Sequence, residues 1–476
     1  MPLVLGGSSA AAGAFSVDNS CRFNPGDSPY LNRTIGTPTL ATKGTVSFWA
    51  KLAGSSEMYA VGATQNSTNK AGIGFGHTTA GALTIIQEDS GANTTLLRTN
   101  RLFRDVGAWY HIVVAFDTPQ VTDTNRVKLY VNGVQETSFA STTYPAQDST
   151  IEYLEDGQEL VVGTKYGSSY ENFFNGYLAE VVLIDGTAYA ASDFGEFSED
   201  SPTIWMPKKV SGLTFGDQGY YLDFKDSANL GNDATGGIDF GENNIVAVDQ
   251  CVDSPTNNFA TVNSLDNYYP GVTFSEGNTQ IVTPASNVYA PTTCSVGLIA
   301  GKWYWELKPT TMPNNEELTG IASTQATSAA GDELGDYPND WAYYANNGNS
   351  YNDSTSTSYG DSYTVNDIIG VALDITNSKL YFSKNGVWQN SGDPTSGATG
   401  TGAISITAVA STPLGTWFPA QTYWHSTANT VGVNYGNPPY ANTSDAADEN
   451  GYGKFEYAPP SGYLAICTKN LGSDGG

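Results

Sequence analysis

Among residue types able to do chemistry near neutral pH, this chain is poor in most and rich in carboxylates. Its histidines are His77, His111 and His425, and its cysteines Cys21, Cys251, Cys294 and Cys467. No CxxC pair occurs, so a zinc knuckle is excluded, and three isolated histidines make a poor metal site. The scattered cysteines are no disulfide framework. They read as small buried hydrophobes, with a Cys294–Cys467 pair left open. A Ser-His-Asp hydrolase gains no support, because no G-x-S-x-G elbow is present. Paired carboxylates could cleave a glycosidic bond if held roughly 5–9 Å apart across it. The stretches with enough acid are IEYLEDGQE (151–159) and DELGD (332–336). Each reads first as a solvated acidic loop.

Hard oxygen ligands are the next resource. Asp117, Asp123 and Asn125 cluster in one turn, and Asp332, Asp336, Asn339 and Asp340 in another. Both sets would suit calcium, but neither has EF-hand spacing, and Asp and Asn are also ordinary turn residues. Aromatic side chains offer a third chemistry. Tyr337, Trp341, Tyr343, Tyr344, Tyr351, Tyr359 and Tyr363 fall in one stretch. Their rigid faces and polar tips would suit stacking on sugar rings. The alternative is that they pack a loop onto a sheet or make subunit contacts.

Charge removes some partners. The formal net charge is 20 − 48 = −28, and the last arginine is Arg126. A phosphate backbone needs Lys/Arg stripes to displace its counterions, so nucleic-acid binding is disfavoured. An anionic bilayer would repel the chain. No apolar run approaches the ~20 residues of a membrane helix. The opening MPLVLGGSSAAAGAF lacks a charged n-region, so no secretion signal is expected.

The elements that must position these groups are strands. Charged residues make up only 14%, and Gly, Ser, Thr, Asn and Tyr fill the deficit, a mixture suited to pleated strands and tight turns. Strand-like runs such as TVSFWAKL (45–52), AWYHIVVAFD (108–117) and GYLAEVVLIDG (176–186) recur through residue 205. Alternation sets Val46, Phe48 and Ala50 on one face and Ser47, Trp49 and Lys51 on the other. From 206 to 267 Gly, Asp and Asn crowd together, which reads as an irregular connector able to wrap along a partner. A second set of strands follows, including GKWYWELKP (301–309), IIGVALDI (368–375) and KLYFSKNGVWQ (379–389), with long loops expected at 325–366 and 390–403. The halves share a pattern: Asn132-Gly133 and Asn385-Gly386 each close a K-L-Y strand, and Asn-Gly favours a type I′ hairpin. The expectation is all-β, two antiparallel sandwiches, with a docking segment at 1–20, sandwiches at 21–205 and 268–471, and a tail at 472–476.

Two motif sets carry a resemblance. AWYHIVVAFDTPQ with NRVKLYVNGVQ and the later GYLAEVVLIDGTAY resembles the central motif of laminin-G-like, concanavalin A-like jelly rolls. GKWYWELKP, IIGVALDITNSKLYFSKNGVW, WFPA and VGVNYG, in that order, are similar to the framework strands of SPRY domains. The segments AFSVDNSCRFNPGDSPYLNRT, YYLDFKDSANLGNDATG and PPSGYLAICTKNL resemble parts of tail-fibre and other virion surface proteins of tailed phages, particularly marine ones.

The resemblance implies a non-enzymatic virion protein on the particle surface, made in the host cytoplasm. It implies adhesion to a host-surface glycan or envelope protein through loops at the SPRY edge, contacts with other virion proteins, and a homo-oligomer with a trimer favoured. A capsid decoration protein is the structural alternative. A glycan depolymerase is the enzymatic one, although the E-[IL]-D-x-x-E strand of jelly-roll glucanases has no match here. Calcium at the rim of the first sandwich would be held by Asp117, Asp123 and Asn125; no cofactor is required. In GKWYWELKP, Trp303 and Trp305 share one face and Lys302, Tyr304 and Glu306 the other, with one face expected to be buried.

Overall fold

The computed structural model describes residues 15–265, 271–285, 289–323, 333–424 and 426–474. The chain divides into two units, one ending at Thr256 and the other starting at Asn257. Each is built on two antiparallel sheets, as the sequence predicts.

In the first unit one sheet runs Val134–Glu136, Val127–Val131, Trp109–Asp117, Lys43–Leu52, Gly176–Asp185, Ser20–Phe23 and Gln250–Cys251, with Tyr220–Leu222 also pairing Gly176–Asp185. The facing sheet runs Phe139–Thr143, Ala92–Leu102, Ala82–Asp89, Lys70–Phe75, Met58–Thr64, Glu159–Val162, Tyr30–Thr34 and Gly241–Asn243. The alternation read from TVSFWAKL holds: Val46, Phe48 and Ala50 enter the core between the sheets. The other face is covered as well. Trp49 packs with Val17 and Ala179, and Lys51 is 1% exposed.

That cover comes partly from the stretch expected as an irregular connector. Residues 206–256 belong to the first unit and add strands to both of its sheets. Their carboxylates meet cations of the sandwich strands, Arg22 and Lys51 on the outer face of theirs and Arg33 on the same face as the core residue Leu31. Asp249 lies 3.6 Å from Arg22, Asp233 lies 3.2 Å from Arg33, and Asp253 lies 2.6 Å from Lys51. Arg33 also donates to the carbonyls of Ile238 and Gln218, and its guanidinium sits over the rings of Phe240 and Tyr220. The segment is thus tied to the sandwich by buried ion pairs that each cross two hundred residues or more of sequence, while its Tyr220, Leu222, Phe224, Leu230, Phe240 and Ile245 join the core.

The second unit pairs one sheet of Thr273–Ser275, Gln280–Val282, Thr430–Asn434, Lys302–Thr311, Ile369–Asp374, Lys379–Lys384 and Val387–Trp388 with a sheet of Thr292–Thr293, Phe418–Tyr423, Glu317–Ala322, Asp340–Tyr344, Asn349–Asn352 and Thr355–Ser358. The last three strands fall inside the stretch expected as a long loop. Their Ser/Thr/Asn-rich composition looks like a loop, yet they form a regular meander on the sheet edge.

GKWYWELKP departs from expectation in one respect: both of its faces are buried. Trp303 and Trp305 enter the core, and Tyr304 and Glu306 are 1% and 0% exposed. The C-terminal segment folds over the second face, and Glu306 holds it there. Its carboxylate accepts from the backbone N–H groups of Glu456 and Tyr457 at 2.9 and 2.8 Å, from the Tyr304 hydroxyl and from the Asn434 amide.

Both Asn-Gly hairpins adopt the predicted turn, with φ of 47° and 78° at Asn132 and Gly133 and 48° and 78° at Asn385 and Gly386. Each asparagine does a second job. The Asn132 Oδ1 accepts from the His111 N–H while its own N–H donates to the His111 carbonyl. Asn385 makes the same two bonds with Ile368. The repeated motif therefore fixes the hairpin end to the neighbouring strand in both units. All four cysteines are buried and outside any disulfide, and no helix among the described residues is long and apolar enough to cross a membrane.

Candidate functional site

The expected aromatic platform in the second unit does not assemble as one surface. Pairing of Asp340–Tyr344 with Glu317–Ala322 puts Trp341 opposite Ile321 and Tyr343 opposite Thr319, so both turn toward the core. Tyr343 is 0% exposed, stacked on Tyr363 at 5.4 Å and on Phe382 at 5.2 Å, and its hydroxyl donates to the Asp361 carbonyl. Tyr359 is buried and its hydroxyl accepts from the Phe382 N–H. These rings hold the sheet edge to the core, and burial removes them as stacking faces. Tyr344 and Tyr351 do meet on the opposite face, edge to face at 5.3 Å beside Leu318, Ala342 and Leu334. The Tyr344 hydroxyl is already bonded to Glu316. Tyr337 is half-buried, and its carbonyl anchors the turn by accepting from the Asp340 N–H and the Asn352 amide.

The acidic residues beside them do not converge either. Asp332 lies outside the described residues. Asp336 accepts from the Glu333 N–H, and Asp340 is buried at the start of its strand. No three His, Cys, Asp or Glu side chains among the described residues are placed to share a metal ion. In IEYLEDGQE, Glu152 is 6% exposed and accepts from Gln158 at 2.7 Å; burial first, and then the neighbouring Glu155, push its carboxyl up to about 8. A carboxyl so enclosed has no room for a scissile bond.

His111, in the WYHIVV strand, is also enclosed. Its ring lies 4.6 Å from Trp49 and 6.0 Å from Trp205, nearly parallel to both. The Trp205 indole N–H donates to Nδ1 at 2.9 Å, so Nε2 carries the proton and donates to Ser47 at 3.0 Å. Burial lowers its pKa to about 3, so it stays neutral and structural.

The first unit does contain a cleft, of about 330 Å³ and lined by Ala115, Asp117, Gln120, Asn125, Lys128, Tyr130, Ala188, Tyr189 and Ala190. Its floor is the outer face of the strands Trp109–Asp117 and Val127–Val131, where Ala115 sits opposite Lys128. The small alanine leaves the space, while Lys128 and Tyr130, two residues apart, point to the same side. The far wall is the segment 188–190. Buried Thr45 pins it, donating to the Thr187 carbonyl at 2.9 Å and accepting from the Tyr189 N–H at 2.8 Å. Asp193 adds a bond from the Ala190 N–H. One end is closed by Asp117, which pairs with Lys43 at 3.1 Å and accepts from Gln120 at 2.6 Å.

Of the residues expected to ligate calcium in this unit, Asp117 and Asn125 thus come together at the cleft. Asp123 is exposed, does not line it, and uses its carboxylate on the Thr124 N–H. The residues sequence reasoning missed are Gln120, Lys128, Tyr130 and Tyr189. Alternation in VKLYV signals the shared face of Lys128 and Tyr130, but nothing local signals that 188–190 returns over it. The Lys128 ammonium, the Tyr130 hydroxyl and the Asn125 amide make no hydrogen bond or ion pair among the described residues. The cleft therefore presents two aromatic rings, a cation and several uncommitted hydrogen-bonding groups around an apolar floor, a combination suited to a small polar ligand.

Comparison with known proteins agrees with this architecture. Residues 26–191 match the concanavalin A-like lectin/glucanases superfamily model of the laminin-G type, and residues 302–414 match the SPRY domain model. Among solved structures, the SPRY domain of human HERC1 is 15% identical, with a TM-score of 0.29, covering 36% of this chain and 96% of that one. A second human SPRY domain is 16% identical, with a TM-score of 0.26 and coverage of 34% and 94%. Stonustoxin is 19% identical, with a TM-score of 0.27 and coverage of 37% and 27%. No curated protein matches the chain. The chain carries a concanavalin A-like domain of the laminin-G type, followed by a SPRY domain.

Proposed function

We propose that this is a non-enzymatic surface protein of a tailed-phage virion, an adhesin that recognises a host-surface glycan. The cleft of the first unit carries the reading. Its rings, amides and hydroxyl are arranged to hold a sugar, and its single carboxylate, Asp117, is already paired with Lys43. Glycoside hydrolysis calls on two carboxyl groups, so this cleft favours holding over cutting. The virion setting is supported by the sequence resemblance at the start, middle and end of the chain. The weak affinity of a small cleft would be multiplied by several copies on one particle, which fits a homo-oligomer such as a trimer.

The test is a glycan array probed with the full chain, followed by host-cell binding with and without the Tyr130→Ala substitution. Binding to a defined set of glycans, lost in the variant, is the expected result. A chain that binds no glycan and no cell overturns the reading. That outcome would favour a capsid decoration protein, a role to which the exposed apolar residues Val121, Val134 and Ile238 would lend themselves as subunit contacts.

A further inference from the structure

We propose that the cleft between the strand Val127–Val131 and the segment 188–190 is a subsite for a carboxylate-bearing sugar residue, its ring against Tyr130 and Tyr189 and its carboxylate on the Lys128 ammonium. This rests on the glycan-binding reading above and adds the charge of the ligand. Three observations carry it.

The first is local charge. The chain has 48 acidic and 20 basic residues, yet the single carboxylate lining this cleft is neutralised by Lys43. Lys128 has no acidic partner among the described residues, and Arg126 beside it satisfies its guanidinium on the carbonyls of Gln120, Val121 and Pro145. The cleft thus keeps an uncompensated cation inside a strongly acidic protein.

The second is hydrogen-bonding capacity. An ammonium is donor only, so an acceptor is needed to complete it, and an ionised acceptor makes a bond roughly twice as strong as a neutral one. The Tyr130 hydroxyl and the Asn125 amide supply the mixed donors and acceptors that ring hydroxyls require.

The third is size. At about 330 Å³ the cleft lies at the small end of the roughly 300–1,000 Å³ typical of ligand pockets. It suits one sugar residue of a longer glycan rather than an extended chain.

The experiment uses the full chain with galacturonate oligosaccharides, their methyl-esterified counterparts, which keep the ring and lose the charge, and a glutamate-rich peptide. Binding is followed by calorimetry or saturation-transfer NMR at low and high salt. The acid form should bind at least about tenfold more tightly than the ester, and more weakly as salt rises. Lys128→Met and Lys128→Gln should each lose about that factor at unchanged melting temperature, and Lys128→Arg should restore most of it. Equal binding of acid and ester overturns the carboxylate assignment while leaving glycan recognition in place. So does binding of other array glycans with none of the uronate. A glutamate peptide bound at Lys128 as tightly as the uronate would assign the cleft to a protein partner and overturn the sugar. No saccharide bound anywhere overturns this inference together with the reading it rests on.

Discussion

Lys51→Met gives the most direct test of how the segment 206–256 is held. The Lys51 ammonium and the Asp253 carboxylate are 2.6 Å apart with side chains each 1% exposed. Asp253 also accepts from the Trp109 indole at 3.0 Å, and the Ser20 hydroxyl donates to its backbone carbonyl. Methionine keeps an apolar side chain of similar length beside the Tyr177 ring but leaves the buried Asp253 carboxylate without its ammonium. Removing one member of a buried pair costs about 3–5 kcal/mol, because the other charge stays out of water. At ~2–4 °C per kcal/mol for a unit of this size, the first transition should fall by roughly 6–20 °C. Adding Asp253→Asn removes the stranded charge and keeps an acceptor for Trp109, so the double variant should recover most of the loss. Calorimetry of the full chain, with Trp fluorescence as a second probe, reads both. A single variant melting with the wild type, or a double variant no better than the single, would refute the claim that this buried pair anchors the segment.

Two further substitutions probe the hairpins and the buried carboxyls. Asn132→Ala should cost about 1–3 kcal/mol, since the His111 N–H loses its acceptor, whereas Asn132→Asp keeps an oxygen there and should stay within about 1 kcal/mol; equal melting of the two variants would contradict this. Burial lifts Glu306 to about 7 and Glu152 to about 8, above the ordinary carboxylate value. The folded state then binds these protons more tightly than the unfolded chain, so their contribution is full below the unfolded pKa of ~4.3 and fades as pH rises through those values. Melting temperature should decline between about pH 5 and about pH 8, less steeply for the first unit in Glu152→Gln; an unchanged slope in that variant would count against the assignment.

The fold was legible where structure is local. Alternation in TVSFWAKL separated the two faces as the structure has them, and the Asn-Gly steps gave hairpins whose φ values are those the turn requires. What escaped was whatever depends on distant chain. Nothing near Lys51 or Trp303 tells that a segment far along the sequence will cover the second face of their strands. The meander at 340–358 escaped for a different reason. Ser, Thr and Asn serve both turns and edge strands, so composition could not separate a loop from a sheet margin. The rings of Tyr343 and Tyr359, apparently free for a ligand, are what seals that margin to the core. At the cleft, the sequence pointed to Asp117 and Asn125 for their oxygens but not to Lys128, because a lone lysine on a strand looks like an ordinary solvated charge.

The scarcity of basic residues makes their placement informative. The chain has more than twice as many acids as bases, and several cations of the first unit are held by a buried or half-buried carboxylate. The first unit uses this repeatedly: Arg22, Arg33, Lys51 and Lys43 each face an acid. Three of those pairs help to fix the segment 206–256, whose apolar residues also join the core of the sandwich. Lys128, like Arg98, Arg104, Arg126, Lys208 and Lys209, has no ion-pair partner among the described residues, and it stands where a small floor residue and a pinned segment open a cleft beside two tyrosines. An unpaired ammonium inside a cleft, beside the Tyr130 hydroxyl and Asn125 amide likewise uncommitted among the described residues, is the physical reason to look for an acceptor on a ligand.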